Sequence, residues 1–183
     1  MPEMSSLLQF TAVEDRTPGS YILNLHERHP KGDIYLPQYT VKYSGDSKYL
    51  PRFAYYSQLM QAYALEMAIV SLRLNKPYNM GSLYWQLNDV WPVSSWSTVD
   101  YYGTYKAAHY RIREVYEELM IHTLHDVKSG DYIVYVVNEQ NKTHFCLCNI
   151  KIEGYNGAES FFNITIERTV QPFERVMVRR LTK

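Results

Sequence analysis

The 183-residue sequence carries little cysteine, no net charge and no long apolar run. Cys146 and Cys148 are its only cysteines. Two apart on a strand, they share a face but are poorly placed to bond each other, so free thiols are expected. Such a pair also lacks the ligand spacing of a zinc site, and no metal is expected. Lys+Arg and Asp+Glu balance at 19 each, so no basic surplus calls for nucleic acid and no acidic tail is present. No stretch reaches the roughly 18 apolar residues of a membrane-spanning helix, and no membrane partner is expected. No basic segment followed by an apolar one stands at Met1, so no signal peptide is read there.

What is abundant is aromatic: 18 tyrosines beside three tryptophans. Such side chains offer a flat apolar face with a polar tip, which suits either a core or a surface that stacks on a partly wet ligand. A hydrophobic content of 46% supports a sizeable core.

Residues 1–43 read as irregular, punctuated by Pro2, Pro18, Pro30 and Pro37, with one short helix over "SSLLQF" and a loop over "NLHERHPKGD". From Arg52 to about Asn75 the apolar residues Phe53, Tyr56, Met60, Tyr63, Met67, Val70 and Leu74 recur every three or four, predicting a core-facing helix. Residues 81–87 read as a strand, and 103–119 as a second helix buried through Tyr105, Ala108, His109, Ile112, Tyr116 and Leu119. Helix, strand and helix with short links is the pattern of a parallel sheet flanked by helices. After about His125 the pattern changes. Segments 131–138, 143–153, 161–170 and 175–181 read as four antiparallel strands, with "GYNG" as a turn. Four strands fall short of the seven of an immunoglobulin-like sandwich.

The densest chemistry lies in "MGSLYWQLNDVWP" (80–92), where an apolar strand turns abruptly polar. Trp85 is suited to stacking on a flat, partly wet ligand, against an alternative of core packing. Gln86, Asn88 and Asp89 bond either a polar ligand or neighbouring loops, the loop role favoured for Asn88 and Asp89. Trp91 and Trp96 wall such a site or pack beneath it. His26 and His29, in "HERHPKG", do not match the HExxH zinc spacing, and Pro30 and Gly32 place them on a loop flanking the site. Asn141-Lys142-Thr143 and Asn163-Ile164-Thr165 are formal glycosylation triplets.

The segment from Met80 through "VSSWSTVDYYGTYKAAHYRIREVY" resembles the end of the catalytic barrel in the β-mannosidases of glycoside hydrolase family 2. Trp85 to Pro92, Ser95 to Ser97 and Asp100 to Gly103 follow that family's motif order, with "HERHPKG", "SQLMQAYALEMAI" and "MPEM" upstream. The resemblance implies the C-terminal part of a (β/α)8 barrel over 1–122 and a partial immunoglobulin-like β-sandwich over 123–183. It implies a retaining enzyme that removes terminal β-D-mannose without a cofactor, partnered by a β-mannoside and the remainder of its own chain. Trp85, Gln86, Asn88, Asp89, Trp91, Trp96, His26 and His29 are the substrate-side candidates, and a cis bond at Trp85–Gln86 is expected. Glu3, Glu27, Asp33, Asp89 and Asp100 match neither catalytic glutamate of the family, which would precede Met1. An inactive, self-associating fragment is therefore expected. The alternatives are a non-catalytic carbohydrate-binding or interaction module, or a related glycosidase of other sugar specificity.

Overall fold

The computed structural model describes residues 1–45, 48–155 and 160–182. Two compact units emerge: Met1–Ile69 with Ser82–Val115, and Val70–Gly81 with Tyr116–Lys183. The boundary expected at 122/123 falls inside a strand, and the units part instead after Val115.

The first unit holds helices α1 (Met4–Leu7), α2 (Tyr21–Leu25), α3 (Gly32–Ser44), most of α4 (Leu50–Leu74) and α5 (Ala107–Val115). Leu7, Leu23, Leu50, Phe53 and Ala54 form its core with Met1. Helix α3 overturns the irregular reading of residues 1–43. Pro37 stands inside it, although proline normally interrupts a helix by removing one N–H donor and crowding the preceding turn. Helix α4 stands where expected, and Phe53, Val70 and Leu74 of the expected stripe are buried, but the stripe is not followed throughout. Ala54, Ser57, Gln58, Ala62 and Ile69 are buried, whereas Tyr63 and Met67 are exposed. The buried face thus mixes small side chains with Phe53, Ile69, Val70 and Leu74.

Residues 81–87 form no strand ladder among the described residues, and the chain bends at Trp85 and Leu87. Extended backbone becomes a strand only where a neighbour takes its N–H and C=O groups. The expected helix over 103–119 is confined to α5, and Leu119 opens a strand instead. Ahead of α5, Asp100 accepts the Tyr102 and Thr104 N–H groups at 3.0 Å on Oδ1, closing a tight loop. Gly103 turns it at φ 81°, a conformation open to glycine and costly for most other residues.

The second unit contains β1 (Leu119–Asp126), β2 (Asp131–Asn138), β3 (His144–Glu153), β4 (Ser160–Val170) and β5 (Arg175–Leu181). One antiparallel sheet runs β1–β2–β5 and the other pairs β3 with β4. Val134, Val136 and Val178 from the first meet Cys148, Ile150 and Val170 from the second in one core. Both cysteines are free thiols. Strand β1 is the one the sequence reading missed, because it follows α5 almost directly. The turn expected over "GYNG" runs into 156–159, outside the described residues. Asn138, fully buried, donates to the Lys142 and Gln171 carbonyls at 2.8 and 2.9 Å and accepts from the Gln140 N–H. Every polar atom of this buried amide is therefore used. Nearby, the buried Arg73 and Lys76 both pair with Glu139, at 3.3 and 2.5 Å.

Candidate functional site

The loop after Trp85 is held by a buried charge. Lys106 has no solvent exposure, and its Nζ lies 3.7 Å from Asp89 Oδ2 and donates to Ser97 Oγ at 2.8 Å. Ser95 and Ser97 both donate to the Asp89 carboxylate. Burial pushes the Lys106 ammonium below its usual range, and the Asp89 and Asp100 carboxylates pull it back. The network fixes the serines on either side of Trp96. Asp89 itself is buried within this network. Lys106 was not foreseen as part of this, since nothing in the motif marks a lysine beyond the loop as its counter-ion.

Gln86 completes the brace. Its Oε1 accepts the Trp96 indole N–H at 2.7 Å and its Nε2 donates to the Asn88 carbonyl at 2.7 Å. The Trp85–Gln86 peptide is cis. From α4, the Gln61 amide donates to the Trp96 carbonyl at 2.8 Å. One ring is therefore positioned by two amides and a peptide carbonyl.

These elements enclose a cavity of about 530 Å³, within the usual range for small-molecule sites. Trp85 and Trp96 wall one side, Tyr35 and Tyr39 of α3 and Met60 of α4 line it further round, and Glu27 and His29 contribute polar groups. Trp85 remains 74% exposed, leaving its ring open to a partner. Of the eight candidates, the structure brings Trp85, Trp96 and His29 to this cavity. Gln86 and Asp89 stand behind it, and Asn88 is exposed beside them.

His26 lies outside the lining. Its Nδ1 donates to the Pro92 carbonyl at 2.6 Å, and its ring stacks on Phe10 at 4.6 Å and lies 5.5 Å from Trp91. Trp91 thus packs with His26 outside the cavity wall. No cluster of three His, Cys, Asp or Glu side chains suited to a metal occurs among the described residues.

Glu27 enters the cavity because its segment is tied to the tryptophan loop. The Arg28 N–H donates to the Ser94 carbonyl at 2.9 Å, and the Ser94 N–H to the His26 carbonyl at 2.7 Å. Burial raises the Glu27 carboxyl to about 7, opposed by the Met1 amino group and by a hydrogen bond with Ser94. The sequence showed Glu27 only as an acid without a family counterpart; its place depends on this pairing of distant loops.

No family model matches the chain. It is 33% identical over 106 residues to a protein of Caenorhabditis elegans described as a probable β-mannosidase, covering 54% of this chain and 12% of that one. The crystal structure of a β-D-mannosidase from Dictyoglomus thermophilum matches 99% of this chain and 22% of its own, with TM-score 0.85 and 23% identity. An exo-chitosanase from Amycolatopsis orientalis, solved with PNP-β-D-glucosamine, matches the whole chain and 22% of its own, with TM-score 0.78 and 20% identity. The chain therefore spans about an eighth of the curated relative it matches. Relatives and fold point the same way: the chain is similar to part of proteins described as β-mannosidases, and it shares the fold of the corresponding part of a solved β-D-mannosidase.

Proposed function

We propose that this chain forms the substrate-side wall of a retaining β-mannosidase, holding a terminal β-D-mannose against Trp85. The observation that carries the proposal is the open indole of Trp85 at the mouth of a cavity whose polar groups converge from separate loops. An indole can cover the apolar face of a pyranose with little conformational entropy to lose. Trp85 would be the residue of the last barrel strand that faces the sugar, as expected at the C-terminal end of a (β/α)8 strand. The residues up to Val115 in the first unit would belong to that barrel, and the strands from Leu119 on to the following sandwich.

The double displacement needs two carboxyl groups about 5–5.5 Å apart, one nucleophile and one acid/base. Glu27 is the one carboxylic side chain lining the cavity among the described residues and it matches neither role, so both catalytic carboxylates would come from elsewhere in a complete enzyme. The likeness to an exo-chitosanase supports a second reading, the same site serving another β-linked sugar. A panel of nitrophenyl β-glycosides offered to the complete polypeptide separates the two. Fastest turnover of the mannoside, with the β-anomer as first product by NMR, is expected. Preference for the glucosaminide would transfer the proposal to that sugar, and binding without hydrolysis would leave only a carbohydrate-binding module. The 183 residues alone should show no turnover of any of them.

A further inference from the structure

Several polar side chains around the cavity are already used within the protein. Ser57 donates to the Ala54 carbonyl at 2.8 Å, Ser95 to Asp89 at 2.7 Å, and the Gln61 amide nitrogen to the Trp96 and Ser97 carbonyls. His29 accepts the Lys31 N–H on Nδ1 at 3.0 Å, which leaves Nε2 as its other ring nitrogen. Glu27 differs: a carboxyl can make about four hydrogen bonds, and Ser94 supplies one.

The backbone beside Glu27 is shaped for it. A Cβ built on Gly32 would stand 2.4 Å from Glu27 Oε2 and 3.0 Å from its carboxyl carbon. Gly32 has no left-handed φ to explain its lack of a side chain. The space that a side chain would take is occupied by the Glu27 carboxyl, which is thereby held at the cavity wall on the side of His29.

We infer that Glu27 is a specificity-determining residue, which hydrogen-bonds a hydroxyl of the sugar stacked on Trp85, with Gly32 as the notch that seats it. This rests on the proposed sugar site, and adds to it the group that tells one hydroxyl arrangement from another. A partly buried carboxyl left without its ligand hydroxyl is poorly compensated, so an analogue lacking that hydroxyl is rejected more strongly than lost contact area would account for.

The test uses the complete polypeptide with nitrophenyl β-mannoside and its singly deoxygenated analogues. Glu27→Ala is expected to lower kcat/KM for the parent at least about tenfold, the scale of a hydrogen bond to an ionisable group. Against one deoxy analogue the same change should cost nothing further, because the hydroxyl that Glu27 serves is already gone. Glu27→Gln keeps the shape and the Ser94 contact and should retain part of the discrimination. Gly32→Ala keeps the carboxyl but fills its notch, and should lose the same hydroxyl preference. An equal loss against every analogue would mark Glu27 as purely structural and overturn the inference, as would unchanged kinetics. If the unaltered polypeptide hydrolyses none of the β-glycosides, the sugar-site reading itself has failed, which the wild-type control reveals before any variant is compared.

Discussion

Replacing Asp89 with alanine is expected to destabilise the unit around the tryptophan loop by about 3–5 kcal/mol, the usual consequence of stranding a buried charge. Lys106 would keep its full burial and its bond to Ser97, but lose the carboxylate that compensates it. Ser95 and Ser97 would lose their shared acceptor in the same step. In a thermal melt of the complete polypeptide, the transition of this unit should fall by roughly 10 °C, at about 2–4 °C per kcal/mol for a domain of this size. The partner experiment is Asp89→Leu with Lys106→Met. Removing both charges and refilling their volume is often neutral, so the double variant should recover most of the loss. A single Asp89→Ala variant melting within a degree of the parent would show that the pair contributes nothing to folding.

Trp85→Ala should do the reverse, leaving the melt unchanged while removing activity. With 74% of its surface open, Trp85 truncation leaves no sealed void to destabilise the fold. Its expected cost is at least about tenfold in kcat/KM, or roughly 1.4 kcal/mol of transition-state stabilisation. Trp85→Phe keeps an aromatic face of smaller area and should fall between. Unchanged kcat/KM in Trp85→Ala would remove this residue from the sugar site, whatever the fate of Asp89.

The two residues lie four apart in one motif, yet Trp85 is largely exposed and Asp89 is buried. The composition of "WQLNDVWP" already marked a site: stacking rings and short polar groups at the end of an apolar segment. It could not separate the groups that face a ligand from those that hold a loop, because that depends on Lys106, Ser95 and Ser97 arriving from the other side. Terminal strands were legible for a simple reason. Alternation such as Cys146, Cys148 and Ile150 is a local signal, and β3 buries Cys148 and Ile150 as that alternation requires. Helix α3 was hidden by Pro37 and by the lack of one clear apolar stripe, Ile34 and Val41 being exposed as well as Tyr35, Tyr39 and Tyr43. In α4 the periodicity was real, but counting large apolar residues placed Tyr63 and Met67 on the buried face and missed Ala62.

The complete burial of Lys106 has a consequence for chemical labelling. Reagents that acylate amines need solvent contact, so in the folded protein they should modify surface lysines such as Lys151 and pass over Lys106. The Lys106 amine becomes reactive only when the loop carrying Trp96 lifts away from it. Its slow acylation, followed by mass spectrometry, would therefore time the opening of the tryptophan loop from within, without a probe attached to the cavity.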